Sequence, residues 1–455
     1  MIKFGNGNWA VKNNKTLAYD ESNGRFKTLA IRNSRFTHGS YKNRSGALIF
    51  DPAMTSRIDF ENNPNGDLLS ETQSTQRVSN SENFGSGEYN KLNMSQEQTV
   101  EVSAPNSNMI VTKLTNTSPN ASLRKQFGQT SNRHVCLSLF VKKGNTPFVG
   151  WRMSNNNGFT YAIFDLDNST IVKTETTNTS DNAKFSFAKY KNGWFRIKVD
   201  FLENGTGSGS FVNTQDFKIF ESSTSDSTSA GFFCYVTGYQ REFNNNVSSY
   251  FRVAGQNLTR TNDNYRRIGN CEYNLPNLAN GIENGGTIIW KVSIAGKPYD
   301  STSRFITLQQ TGTTGSTTNK SFVSLKLVGN FNGEHKVGGQ YHLGLEYMFS
   351  NTVISASKII DDPEPNRIYN IGFSFMPKPS ATNGNECIVS VDGITNTDFP
   401  SAFKNPDIKL GRQFNDLLFM KRGGQTNTWN GRVKEILILD EPKSQTELNL
   451  LTLHS

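Results

Sequence analysis

The sequence predicts an all-β protein: two antiparallel jelly-roll sandwiches in tandem, over residues 81–257 and 280–455, behind an N-terminal β-rich attachment segment in residues 1–80. Three observations predict it. Apolar and polar residues alternate with period two over many short runs, as strands buried on one face require. Gly, Asn and Pro punctuate those runs at strand-length intervals. The chain is also polar yet rich in rings: 34% of its 455 residues are hydrophobic and 19% charged, with 32 Phe and 14 Tyr. Its polar residues interleave with core formers instead of replacing them, as they would in a disordered chain.

In residues 1–80, short apolar clusters at 29–31 and 48–50 lie between Asn/Ser/Gly loops. Arg57-Ile58-Asp59-Phe60, then Pro64-Asn65-Gly66 and Leu68-Leu69, reads as strand, turn, strand. Residues 70–83 are polar and read as a linker or long loop. A segment so separated is expected to attach the protein to a larger particle or to mediate oligomerisation, and its removal to leave soluble jelly rolls.

Strand signals then come densely. Leu137, Leu139 and Val141 alternate with Ser138, Phe140 and Lys142. Lys191-Asn192-Gly193 leads into a run in which Phe195, Ile197, Val199 and Phe201 share one face and Arg196, Lys198 and Asp200 the other. Period two beside an Asn-Gly turn predicts a hairpin. The last strand of this series spans 231–238, and Asn-rich residues 243–280 read as the domain boundary. A second series opens with Ile288, Trp290, Val292 and Ile294 and ends at 433–439. Helix is scarce. Ser444, with Glu447 three residues on and Leu448, Leu450 and Leu451 behind it, predicts a capping box and a short C-terminal helix.

The net charge of +9 has no Lys/Arg block of the kind that tails a nucleic-acid binder, so no nucleic-acid partner is expected. Arg35, Lys42 and Arg44, and again Arg260, Arg266 and Arg267, form loose basic patches: either scattered solvated charge or an anchor on an acidic surface. Cys136, Cys234, Cys271 and Cys387 lack metal-ligand spacing; Cys136, Cys234 and Cys387 sit in apolar strand patterns and read as buried free thiols, compatible with assembly in a reducing cytoplasm. No apolar stretch has signal-peptide or membrane-spanning length, so no membrane insertion is expected.

Three patterns acquire meaning from their order. Arg57-Ile58-Asp59-Phe60 precedes Leu68-Leu69-Ser70-Glu71; Asn192-Gly193-Trp194-Phe195-Arg196-Ile197 comes next; then Gly238-Tyr239-Gln240-Arg241-Glu242 and Ser249-Tyr250-Phe251. Over residues 45–255 this resembles the carbohydrate-binding-module-like jelly roll common in phage structural and tail proteins, with its "pRidy…LLlE" segment, "nGWyRi" hairpin, "GaQlE" corner and "sYi" exit. The chain departs at the corner, where Tyr239 replaces Ala and Arg241 replaces Leu. On the residues alone, Trp194, Gln240 and Glu242 read as holding the fold, Trp194 as an apolar plug and the other two as partners of loop backbone. Trp429-Asn430-Gly431 through Asp440, then residues 444–451, with the Val391-Asp392-Gly393 hairpin, is similar over 280–455 to concanavalin-like (laminin G-like) jelly rolls.

These resemblances imply a virion structural protein, a head fibre, tail fibre or decoration protein assembled in the host cytoplasm. It would contact other virion proteins through its N-terminal segment, form a dimer or trimer, and display lectin-like domains toward host-surface glycans. A secreted or cell-surface lectin or adhesin is the alternative, disfavoured by the missing signal peptide. A polysaccharide-degrading enzyme would need two carboxylates facing one cleft, and no such cluster is visible. The five His are widely separated, so no catalytic residues are assigned. Neither metal nor cofactor is expected: Asp165-Leu166-Asp167-Asn168 could offer Ca²⁺ ligands but reads equally as a solvated turn. Sugar sites stack a ring on the pyranose and satisfy its hydroxyls with amides. Trp151 with Asn155, and Trp429 with Asn427, are the expected ligand-binding residues, each weighed against an aromatic packed under its own loop.

Overall fold

The computed structural model describes residues 2–453 except 6–8, 13–14, 21–24, 34, 36, 52–54, 72–73, 129–132, 156–157, 178–182, 204–211, 225–226, 245, 262, 264, 268–285, 296–301, 311–321, 330–340, 350–351, 377–385, 397–413, 420–430 and 440. The described residues are mostly strand, with one α-helix at Gln445–Thr452, so the fold is all-β, with antiparallel sheets throughout.

The middle of the chain is a sandwich of two six-stranded sheets. One runs, edge to edge, through Asn90–Leu92, Ser122–Gly128, Val212–Ile219, Phe148–Asn155, Gly158–Asp165 and Thr170–Thr176. The other runs through Met94–Thr99, Val111–Asn116, Phe233–Glu242, Arg133–Lys143, Trp194–Glu203 and Lys184–Lys189. Alternation fixes what lies between them. Leu137, Leu139, Val141, Ile197 and Val199 of the second sheet are fully buried against Val149, Trp151, Ala162 and Phe217 of the first. The hairpin expected at Lys191-Asn192-Gly193 is present: Asn192 and Gly193 both take left-handed backbone, at φ 61° and 74°. That conformation suits Asn and Gly.

A bulge sets the last strand's parity. The ladder between Arg133–Lys143 and Phe233–Glu242 slips between Ser138 and Phe140, opposite Gly238 at φ +63°. A Cβ on Gly238 would stand 2.8 Å from the Met109 side chain and 2.9 Å from Phe140. A single inserted residue reverses the facing of the strand beyond it. Cys234 and Val236 face the core before the bulge, and Tyr239 faces the core after it, while Gln240 and Glu242 turn outward. The two departures from the corner motif are accommodated there. Tyr239 packs 5.7 Å from the Trp151 ring and donates its hydroxyl to Gln215, and Arg241 lies 4.0 Å over Phe127.

The C-terminal half does not stand apart from the first residues. Gly431–Leu439 pairs on one edge with Gly286–Ile294, and on the other with Asp67–Ser70 and then Ile2–Gly5. From Ile2–Gly5 the ladder continues through Lys15–Asp20, Arg25–Asn33, Tyr265–Arg267 and Phe414–Phe419 to Thr302–Gln310. One 17-stranded ladder therefore contains strands from both chain ends. Residues before position 80 also pair and pack with later parts of the chain. Leu48, Leu68 and Val78 are at most 1% exposed, and the supposed linker pairs Ser74–Thr75 with Thr259–Arg260. Tyr250, Phe251 and Val253 are buried, within the span 81–257 expected for the first jelly roll.

Local signals in the C-terminal half are realised. Val391 pairs with Ile394 across Asp392 and Gly393, both left-handed, a two-residue hairpin. Ser444 and Glu447 form the reciprocal capping box of the helix Gln445–Thr452, and Leu448 is buried against Gly372. Cys136 and Cys234 are buried free thiols as expected; Cys387 is half-buried, and Cys271 lies outside the described residues.

Candidate functional site

The outer face of the sheet containing Trp194–Glu203 is covered. Leu48, Met109, Val111, Phe140, Tyr190, Trp194, Tyr235 and Tyr250 form a second apolar cluster there, roofed by the N-terminal and exit segments. Trp194 is fully buried and donates Nε1 to the Ser103 carbonyl at 2.7 Å. Arg196, on the face opposite Ile197 and Val199, is 2% exposed and donates to Ser138 Oγ and the Ser248 carbonyl. Lys198 pairs with Glu61, and the Tyr190 hydroxyl donates to the same carboxylate at 2.6 Å.

Beside this roof the quoted motifs meet. Arg57 pairs with Glu71 at 2.7 Å and with Asp263; Arg35 pairs with Asp263 at 2.8 Å, and Arg260 with Glu71 at 3.3 Å. Ser249 donates its Oγ to Glu71 at 2.6 Å, and Ser248 donates its Oγ to Glu242 at 2.6 Å. Gln240 donates to Glu242 and accepts from the Phe251 backbone. Burial is the largest single effect on Glu71 and Asp263 and opposes ionisation, but the arginines together outweigh it and hold both below the usual carboxylate range. Asp51 is pushed up to about 6 by burial, against Arg35 and Arg57. All three arginines are 0% exposed, so the expectation of exposed basic patches is corrected for Arg35 and Arg260. The cluster is a clamp between the entering and leaving segments of the jelly roll. Neutralised in pairs and closed to solvent, it offers no group to a substrate.

The opposite sheet presents its outer face differently. The strand register lays Arg124, Asp216, Arg152, Tyr161 and Glu175 in one transverse row. Arg124 grips Asp216 at 2.8 and 3.2 Å, and the Tyr161 hydroxyl donates to Glu175 at 3.0 Å. The next row holds Gln126, Thr214, Ser154 and Phe159. Arg152 lies 4.2 Å over the half-buried Phe159 ring, and Phe159 stands 5.9 Å from Tyr161. Tyr161, Ile163 and Phe220 of this face are themselves buried, with Phe148 and Phe159 half-buried against them. A sheet face carrying rings, amide and hydroxyl groups and a guanidinium has the chemistry of a sugar platform.

Of the expected site residues, Trp151 is 1% exposed within the inter-sheet core, so its ring has no free face and the sugar-stacking expectation for it is corrected. Asn155 ends the strand Phe148–Asn155, and its side chain lies outside what is described. Trp429 and Asn427 lie outside the described residues. The residue that sequence reasoning missed is Trp151's neighbour, Arg152. The signal was present: Val149, Trp151 and Met153 alternate as a core face, which puts Arg152 on the other side. Asp165 spends its carboxylate on its own turn, accepting from the Asp167 and Asn168 backbone and the Asn168 side chain. Among the described residues no three His, Cys, Asp or Glu side chains converge as metal ligands, and no helix is long and apolar enough to cross a membrane.

No family model and no curated protein matches the chain. Among solved structures, it is similar to a mutant Trypanosoma rangeli sialidase displaying trans-sialidase activity (8% identity, TM-score 0.25) and to the T. rangeli sialidase in complex with sialic acid (9% identity, TM-score 0.26). Each comparison covers 96% of this chain and only 65% of the sialidase, and likeness at this level carries no argument about fold or activity.

Proposed function

We propose that this protein is a non-enzymatic structural component of a tailed-phage virion, a head fibre, tail fibre or decoration protein, whose middle jelly roll touches host-surface glycans through its open sheet. The observation that carries this reading is the meeting of Arg57, Glu71, Gln240, Glu242 and Ser249 in one buried clamp. These residues come from three separate motifs of the phage jelly-roll resemblance, and they serve as parts of one domain, as that resemblance implies. The first strands belong to the same ladder as the last, so the attachment surface for other virion proteins is a folded one and not a free tail. Closed symmetric oligomers are the common way to display such domains, and a dimer or trimer is the expected state.

Mass spectrometry of purified particles, with immunogold labelling to place the chain on head or tail, tests the virion reading. Detection at stoichiometric level supports it. A chain absent from particles but binding glycans would favour the free lectin instead.

A further inference from the structure

We infer that the open sheet is selective for acidic sugars, with Arg152 as the residue that reads a hexuronate carboxylate. The inference rests on the glycan-contact reading above and goes beyond it in naming the ligand class. Its basis is how the charges of the face are already committed. Asp216 is gripped by Arg124 through both carboxylate oxygens and also accepts from Ser122. Glu175 accepts from Tyr161 and pairs with Lys173 at 3.6 Å. Arg152 sits between them in the same row, and its side chain forms no ion pair or hydrogen bond among the described residues; its Nε is buried with no acceptor.

Such an arginine is not an idle surface charge. Its guanidinium is held 4.2 Å over the Phe159 ring, which removes much of the rotamer freedom a long side chain must lose on binding. A planar fork so held matches a planar carboxylate bidentately, and the half-buried Phe159 beside it offers an apolar edge to the pyranose. A neutral sugar would leave the Arg152 donors partly desolvated without an acceptor, so the face discriminates against it.

The test is direct binding by calorimetry of the full chain to oligogalacturonate, oligomannuronate and a glucuronate-containing capsule fragment, each beside its carboxyl-reduced form. Wild-type protein, Arg152→Gln and Arg152→Lys are compared, with melting temperature as the folding control. The wild type is expected to bind at least one acidic oligosaccharide at least tenfold more tightly than its reduced form. Arg152→Gln is expected to lose that difference with its melting temperature unchanged, and Arg152→Lys, which keeps the charge without the fork, to retain part of it. Equal binding of acidic and reduced forms overturns the selectivity while leaving glycan contact standing. Undiminished acid preference in Arg152→Gln overturns the role of Arg152. No binding of any oligosaccharide, acidic or reduced, removes the glycan-contact reading and this inference with it.

Discussion

The two outer faces of the middle sandwich are built on the same ladder pattern and end in opposite conditions. Over one, Leu48, Arg57, Glu71, Ser248 and Tyr250 are laid down and locked, so that Arg196 and Trp194 are interior residues. On the other, Arg124 and Arg152 are half-buried and Glu175 is exposed. Polar residues on the outer side of a strand therefore carry no functional meaning until it is known what lies over them. Arg196 and Arg152 look alike in the sequence. The side chain of the first is bonded to Ser138 and Ser248 inside the protein, and that of the second forms no hydrogen bond or ion pair among the described residues.

The largest way to break this asymmetry is to remove the cover. Deleting residues 1–80 strips Leu48, Leu68 and Val78 from cores and takes Arg57 and Glu71 from the clamp. The remaining chain is expected to be insoluble or unfolded by circular dichroism; a soluble, cooperatively melting product would show that the cover is dispensable. Arg57→Ala keeps the cover but leaves Glu71 and Asp263 short of their counter-charge, and should cost about 3–5 kcal/mol in urea denaturation.

Neighbouring substitutions sharpen the other side of the comparison. Trp151→Ala removes a buried ring and is expected to cost about 3–5 kcal/mol. Arg152→Gln, one residue on and facing out, should stay within about 0.5 kcal/mol. If the two losses were alike, the parity of this strand would be wrong.

The smallest effect is a matter of pH, and its sign separates two kinds of carboxylate in the clamp. Glu71 and Asp263 are held low by arginines, so their contribution is present above the unfolded carboxylate range and is lost as pH falls through their depressed values. Asp51 is pushed up to about 6, so it works the other way: it contributes stability below the unfolded value, and this is lost as pH rises from about 4 through about 6. Asp51→Asn should therefore raise the melting temperature at pH 8 relative to wild type, raise it less at pH 5, and leave it nearly unchanged below about pH 4.

Much of this architecture was legible because it is local. The strands of the middle sandwich obey period two, the turns at Asn192-Gly193 and Asp392-Gly393 come from residues that tolerate left-handed backbone, and the Ser444–Glu447 box spans a single helical turn. What was not legible is long-range. Arg35 finds Asp263 across a separation of 228 residues, and no local pattern announces that partner. The pairing of Ile2–Gly5 with Gly431–Leu439 has no local signature either, which is why residues 1–80 read as a separate piece. The site fell between these cases. A Trp beside an Asn-rich loop drew the eye, although the alternation of Val149, Trp151 and Met153 placed that ring inside and its neighbour outside.

Hydroxyl-radical footprinting read by mass spectrometry tests the difference between the two faces most directly, because it reports side-chain exposure in the intact chain. The half-buried Phe159 is expected to oxidise readily, and to be protected when an acidic oligosaccharide is bound, while Trp194, Tyr250 and Phe140, each 0% exposed, stay unmodified until the protein unfolds. Oxidation of Trp194 and Tyr250 in the folded protein at the rate of Phe159 would contradict the account.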